Sequence, residues 1–164
     1  MQKSVIGLVG PMGSGKGTVA KYLQGKGYKA TSLSDRIREE IQRRGKIEKR
    51  EVLQDIGDEL RQKKGSGVLA ELTAKKYKNE HKLVVDSIRH PEEIRVLKEK
   101  LNAVIIGVTA SRRKRFELVK KRGRKGDVTS WEEFLEKDKR EFSKNASSHQ
   151  IQIQKSLDMG DYLV

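Results

Sequence analysis

The stretch Gly10-Pro11-Met12-Gly13-Ser14-Gly15-Lys16-Gly17-Thr18 constrains this chain more than any other. It follows a short apolar run, Val5 to Val9, and opens into Thr18-Val19-Ala20-Lys21-Tyr22-Leu23, whose apolar residues keep a helical spacing until Gly25 and Gly27. A glycine-rich turn between strand and helix lets successive backbone N–H groups point inward around a phosphate, and the helix N-terminus adds a favourable dipole. Lys16 supplies a mobile positive charge that can bridge two phosphates; without it the loop would be an anion nest and little more. A merely structural glycine turn leaves Lys16 without purpose. A dinucleotide loop, with Asp35 holding a ribose, requires G-x-G-x-x-G, whereas the spacing here is G-x-x-G-x-G-K and Thr18 stands where the third glycine belongs. Gly10, Gly13, Ser14, Gly15, Lys16, Gly17 and Thr18 are therefore the expected phosphate contacts of a bound nucleotide.

The strict pattern G-x-x-x-x-G-K-[ST] is missed by one position, because Gly17 follows the lysine and the hydroxyl arrives only at Thr18. The residue after the lysine ordinarily gives a hydroxyl to Mg²⁺, so the metal is expected to rest on nucleotide oxygens, water and a distant carboxylate, with Thr18 a weaker candidate.

Along the rest of the chain, apolar patterning predicts strands at Tyr28 to Leu33, Leu83 to Asp86, Ala103 to Val108 and Asp161 to Val164. Helices are expected from Ser34-Asp35 to Gly45, about Arg50 to Lys64, Val68 to about Asn79, Pro91 onward, Ser111 to Arg122, and Trp131 to about Lys144 with Phe134, Leu135 and Phe142 inward. Strands alternating with helices imply an α/β fold with a parallel sheet of about five strands and helices on both faces. At 164 residues the chain has the length of one domain, and no repeat or linker argues for a second.

Gly-Lys-Gly-Thr is also the form found in adenylate kinase and related nucleoside monophosphate kinases, which this segment resembles. Asp35-Arg36-Ile37-Arg38 is similar to the Asp-x-x-Arg of that family, which implies that Arg38, more than Arg36, grips an acceptor phosphate. Val85-Asp86-Ser87-Ile88-Arg89 resembles its third strand tip, with one residue fewer between acid and arginine than in adenylate kinase. That likeness implies Asp86 beside Mg²⁺, holding the ion through water, and Arg89 in catalysis. Thr109 to Phe116 and Lys121-Arg122-Gly123-Arg124 resemble a phosphate-enclosing lid over about 112–130, with Arg115, Arg122 and Arg124 as its cations, above an acceptor-binding segment of about 34–80. The order of these segments, continuing through Trp-Glu-Glu-Phe-x-x-x-Asp-x-x-Glu and Asp-Tyr-Leu-Val, is similar over essentially the whole chain to an archaeal adenylate-kinase-related, dephospho-coenzyme-A-kinase-like family of P-loop kinases. Members of that family usually run past the last strand, so an end at Val164 reads as a shortened C-terminus.

The implied reaction is ATP-dependent transfer to a nucleoside monophosphate, ahead of dephospho-coenzyme A. A phosphate acceptor is already ionised and needs no base; a sugar hydroxyl would need one, with Asp35 first by position. Lys and Arg number 37 against 23 Asp and Glu, a formal net charge of +14, which points to anionic partners: the small nucleotide acceptor first, nucleic acid second through a nucleic-acid-associated NTPase. Cysteine is absent, which excludes thiolate metal sites and sulfur redox chemistry, and His81, His90 and His149 lack zinc-ligand spacing. Apolar runs are far too short to span a membrane, and a cytoplasmic location is expected. Trp131 and Phe134 are read as core, and Glu132, Glu133 and Asp138 as the exposed face of their helix.

Overall fold

The computed structural model describes residues 2–124, 126–143 and 151–164, with side chains described throughout except at 50 and 51. Lys144, the expected end of a helix, and His149 lie outside the described residues, as does position 125 of the expected lid.

Strand β1 (Ser4–Val9) leads into helix α1 (Lys16–Gly25), followed by β2 (Lys29–Ser32) and α2 (Leu33–Arg43). Helices α3 (Arg50–Lys64) and α4 (Val68–Lys76) precede β3 (Lys82–Ile88), α5 (Pro91–Leu101) and β4 (Val104–Gly107). Then come α6 (Arg112–Arg122), α7 (Trp131–Glu141), α8 (Ile153–Asp158) and β5 (Tyr162–Leu163). The five strands form one sheet in the order β2-β3-β1-β4-β5, every pairing parallel.

Alternation along the strands makes two cores. Leu8 and Val84 turn to one face and pack with Val19, Ala20 and Leu23 of α1, while Val5, Leu83, Val85 and Ile105 turn to the other and meet Ile37, Leu69, Ile94 and Leu97 of the helices there. A third cluster lies off the sheet, where Val119, Val128 and Phe134 are buried with Met12, Phe116 and Trp131 against them. It joins α6 and α7 to the glycine loop through the Met12 side chain.

Several local expectations are corrected. Ser32, not Ser34-Asp35, caps α2: its side chain takes the Ser34 N–H, and Asp35 three residues into the helix returns to the Ser32 N–H at 2.8 Å, a capping box. Asp138 is buried, since two arginines converge on it, and Leu135 rather than Asp138 faces outward. Helix α8, absent from the sequence-based expectation, has only six residues, too few for a helical apolar spacing to stand out. Pro91 does open α5, where the His90 ring and the Glu93 carboxylate complete another capping box.

Topology fixes where a ligand can bind. Strand β1 lies between β3 and β4, whose connections leave in opposite directions, and a crevice opens at such a point beyond the strand C-termini. The glycine loop and Arg89 follow strands that end there, and Asp86 lies within β3, two residues before its end.

Candidate functional site

The loop is shaped by close backbone approach and by positive φ. Gly13 has φ +75°, and a Cβ there would lie 2.4 Å from the Arg115 carbonyl oxygen; at Gly10 it would lie 2.2 Å from the carbonyl oxygen of Val108. Gly15, at φ +100°, is the N-cap of α1 and aims the first turn of the helix into the crevice. The neighbourhood of Gly17, by contrast, is open, and Thr18 is exposed one residue further on. Ser14 is buried.

Lys16 folds back over its own loop, donating to the carbonyl oxygens of Gly10 at 2.8 Å and Pro11 at 2.9 Å. Desolvation lowers its pKa to about 8; Asp86 and Glu141 oppose that fall, while Arg89 and Arg122 deepen it. The sequence-predicted residues Lys16, Asp86, Arg89 and Arg122 thus share one electrostatic neighbourhood at the loop mouth. These amide donors and this cation suit a polyphosphate: carbonyls that hold Lys16 are weak partners that phosphate oxygens can replace.

Asp86, near the end of β3, accepts the Ser87 N–H on Oδ1 at 2.6 Å. Ser87 has φ +63°, a strained setting for a non-glycine residue, and its hydroxyl lies 2.8 Å from that of Ser32. The pairing of β1 with β3 shifts register at the same place, between Gly7 and Val9. Arg89 faces Glu141 of α7, with Nη1 and Oε1 3.5 Å apart. Its backbone N–H, and that of His90, are taken by the buried Glu93 carboxylate, whose pKa burial raises to about 6 against the pull of those hydrogen bonds and of Arg61.

The predicted arginines separate into three settings. Arg122 is held by both oxygens of Asp127, at 2.8 and 2.7 Å, and Arg124 gives its backbone N–H to the same carboxylate, so the two share one turn of the expected lid. Arg38 is half exposed between Asp35 and Glu48, at 3.1 and 3.0 Å, and among the described residues a chain of hydrogen bonds through Asp35, Ser32 and Ser87 leads from it toward the mouth. Arg115 is a correction. Its side chain is 3% exposed, paired with Asp138 at 2.7 Å, and donates to the carbonyl oxygens of Ala110 and Met12. It braces the loop from behind, so it is a support of the site and not a cation on a moving lid. Arg36 is buried against the Tyr77 ring and paired with Glu39 at 2.8 Å, while its Nε and Nη1 find no hydrogen-bond partner among the described residues.

Two features escape sequence reasoning. Ser87 carries no signal, because φ is not written in a serine. Glu141 stands in the Asp-x-x-Glu spacing, three residues from Asp138 and so on the same side of α7, but nothing local to that helix says that this side meets the loop. Beside the loop a cavity of about 450 Å³ is lined by Pro11, Ala110, Arg115, Phe142, Leu157 and Tyr162, among others.

A parallel sheet with a glycine loop after its central strand, a lysine at the start of the next helix and a carboxylate at the tip of the neighbouring strand define a P-loop nucleotide-binding protein of kinase-like build. A family model described as "AAA domain" matches residues 6–149. At 39% identity the chain resembles a UPF0200 protein of Hyperthermus butylicus over 136 residues, 82% of this chain and 73% of that one; a UPF0200 protein of Pyrococcus horikoshii is 32% identical over 98% of this chain and 86% of its own. The chain belongs to the family that this AAA-domain model describes, and its relatives place it in the UPF0200 family. In fold it is similar to TT1252 from Thermus thermophilus, with a TM-score of 0.62 and 21% identity over 99% of this chain and 88% of that one. It is also similar to shikimate kinase from Acinetobacter baumannii, with a TM-score of 0.54 and 17% identity over 99% and 83%. No helix among the described residues is long and apolar enough to cross a membrane.

Proposed function

We propose that this protein transfers the terminal phosphoryl group of ATP to a nucleoside monophosphate, in the manner of an adenylate kinase. The observation that carries the reading is the glycine loop with Lys16 folded over it and Arg89 held beside its tip through Glu141, two cations at one loop mouth where a phosphoryl group would pass between two anions, with Asp86 and Arg122 within electrostatic reach of Lys16. The loop amides and Lys16 would take the donor phosphates. The 450 Å³ cavity next to Pro11 is of a size to take the nucleoside, with Phe142 and Tyr162 as aromatic surfaces. Arg89 would face the transferring group, and Arg38 the acceptor phosphate from the α2 side. Asp86 is suited to hold waters of Mg²⁺, and the ion when bound neutralises charge on the phosphates. A phosphate acceptor is favoured over a hydroxyl because Asp35, the carboxylate best placed by sequence to act as a base, is engaged by the Ser32 N–H and by Arg38.

The test is ADP release from ATP and Mg²⁺ against nucleoside and deoxynucleoside monophosphates, dephospho-coenzyme A and shikimate, with Lys16→Ala as the blank. The expected result is strong stimulation by one monophosphate that the blank lacks. Stimulation by a hydroxyl substrate alone overturns the acceptor class. Turnover that responds only to RNA, and collapses between low and physiological salt, replaces the kinase with a nucleic-acid-dependent NTPase.

A further inference from the structure

We infer that Glu141 is a positioning residue that sets both the tip of the phosphate loop and the aim of Arg89, a role that rests on the loop mouth being the place of phosphoryl transfer. One carboxylate oxygen, Oε2, accepts the Met12 N–H at 2.9 Å, and the other, Oε1, faces Arg89. The Glu141 side chain is 13% exposed and that of Arg89 41%, so the carboxylate is held inside the fold while the guanidinium stays open to an incoming anion. Glu141 stands close enough to Lys16 to oppose the lowering of that lysine's pKa.

The contact is part of a larger grip on a single residue. Met12 gives its N–H to Glu141, while its carbonyl oxygen takes Arg115 Nη1 at 3.2 Å; Arg115 is in turn held by Asp138. Asp138 and Glu141 lie three residues apart on α7 and so on one side of that helix. The Met12 side chain completes the hold by packing among Val119, Val128 and Phe134. Helix α7 therefore fixes the loop tip directly at the Met12 N–H and, by way of Arg115 of α6, at its carbonyl, and Glu141 continues from there to Arg89. A guanidinium with five donors and several rotatable bonds points in many directions unless an acceptor selects one. Glu141 selects the direction that lies over the loop. An acceptor or γ-phosphate arriving there meets Arg89 already near its place, and the arginine can pass from carboxylate to phosphate without searching.

The experiment is a double-mutant cycle on Glu141→Gln and Arg89→Ala, read as steady-state ADP formation from ATP and Mg²⁺ with AMP and, separately, without acceptor. Equilibrium binding of ATP and thermal unfolding are measured on each variant. Glutamine still accepts the Met12 N–H but presents no charge to Arg89. Glu141→Gln is expected to lower kcat roughly 10-fold with ATP affinity within about 3-fold of the parent, and the double variant to be no slower than Arg89→Ala alone. Losses that multiply in the double variant, or a Glu141→Gln enzyme with parental kcat, overturn the role while leaving the proposed transfer intact. Should AMP give no turnover, the cycle is run with whichever monophosphate of the wider panel stimulates ADP release; if the parent binds ATP through Lys16 yet turns over nothing with any of them, the transfer reading fails and this role falls with it.

Discussion

The glycine loop and the helix pair α6–α7 stand face to face across Met12, yet they reach their conformations by opposite means. In the loop, shape comes from backbone freedom: Gly10 and Gly13 sit where a Cβ would collide with a carbonyl oxygen, and Gly13 and Gly15 take positive φ. In the helix pair, shape comes from long-range charge pairing, with Asp138 drawing in Arg112 and Arg115 from 26 and 23 residues away, since 138 − 112 = 26 and 138 − 115 = 23. A constraint of the first kind can be read one residue at a time. The second kind depends on two segments meeting, and each half taken alone looks like ordinary surface charge.

The sharpest way to break this comparison is to remove Asp138. Arg115 would then remain at 3% exposure with no counter-charge, and truncating one partner of such a buried pair costs about 3–5 kcal/mol. Asp138→Ala should therefore lower unfolding free energy in denaturant by that amount and loosen the loop through Met12. A loss under about 1 kcal/mol would show that the pair behaves like a surface contact. Gly13→Ala attacks the other side. Its φ of +75° and the 2.4 Å approach to the Arg115 carbonyl should together cost about 1–3 kcal/mol, most of it visible as weakened ATP binding by calorimetry. Unchanged binding would mean that the loop does not need its present shape.

These two substitutions also mark what can be read from the sequence. The loop, the parallel sheet and the Pro91 helix start are all legible, because glycine spacing, apolar runs and proline chemistry are local; the strand expected to end at Asp86 instead runs on to Ile88. The burial of Asp138 and Arg115 is not. A helix reading Arg-Arg-Lys-Arg gives no sign of which arginine turns inward, and one reading Glu-Lys-Asp-Lys-Arg-Glu hides its acids equally well. The cap of α2 lies two residues before its expected place for a related reason: serines at 32 and 34 and the acid at 35 satisfy the local rule in more than one register, and β2 pairing with β3 chooses between them. Ser87 shows the limit from another side, since its positive φ arises where the sheet slips register.

A titration sharpens the electrostatic half of the comparison. Lys16 in the free protein has its pKa lowered to about 8, and phosphate oxygens in place of carbonyls should raise it again. Binding of ATP should then take up protons above about pH 8, and affinity should fall as pH rises, by at most about 1.4 kcal/mol per pH unit for one proton. The same shift acts on folding with the opposite slope. A lysine whose folded pKa lies below 10.5 binds fewer protons in the native state, so its contribution to stability rises from about pH 8 toward 10.5. Lys16→Met should abolish the proton uptake, which calorimetry in buffers of different ionisation enthalpy would read. Uptake that persists in that variant would assign the proton to another group.

The smallest expected effect tests whether every glycine of the loop is there for its backbone. A Cβ added at Gly17 would meet nothing within 4 Å, and the residue is the second of α1, where glycine is a poor helix former. Gly17→Ser should thus stabilise the fold by about 0.3–0.5 kcal/mol, in contrast to the damage at Gly13. It also places a hydroxyl directly after Lys16, so Mg²⁺ should be needed at lower concentration for half-maximal ATP turnover, with the concentration dependence of the parent as reference. If the serine instead destabilises the protein or leaves the Mg²⁺ requirement unchanged, the first turn of α1 is under a constraint that its open surroundings do not reveal, and steric contact is not what divides the glycines of this loop.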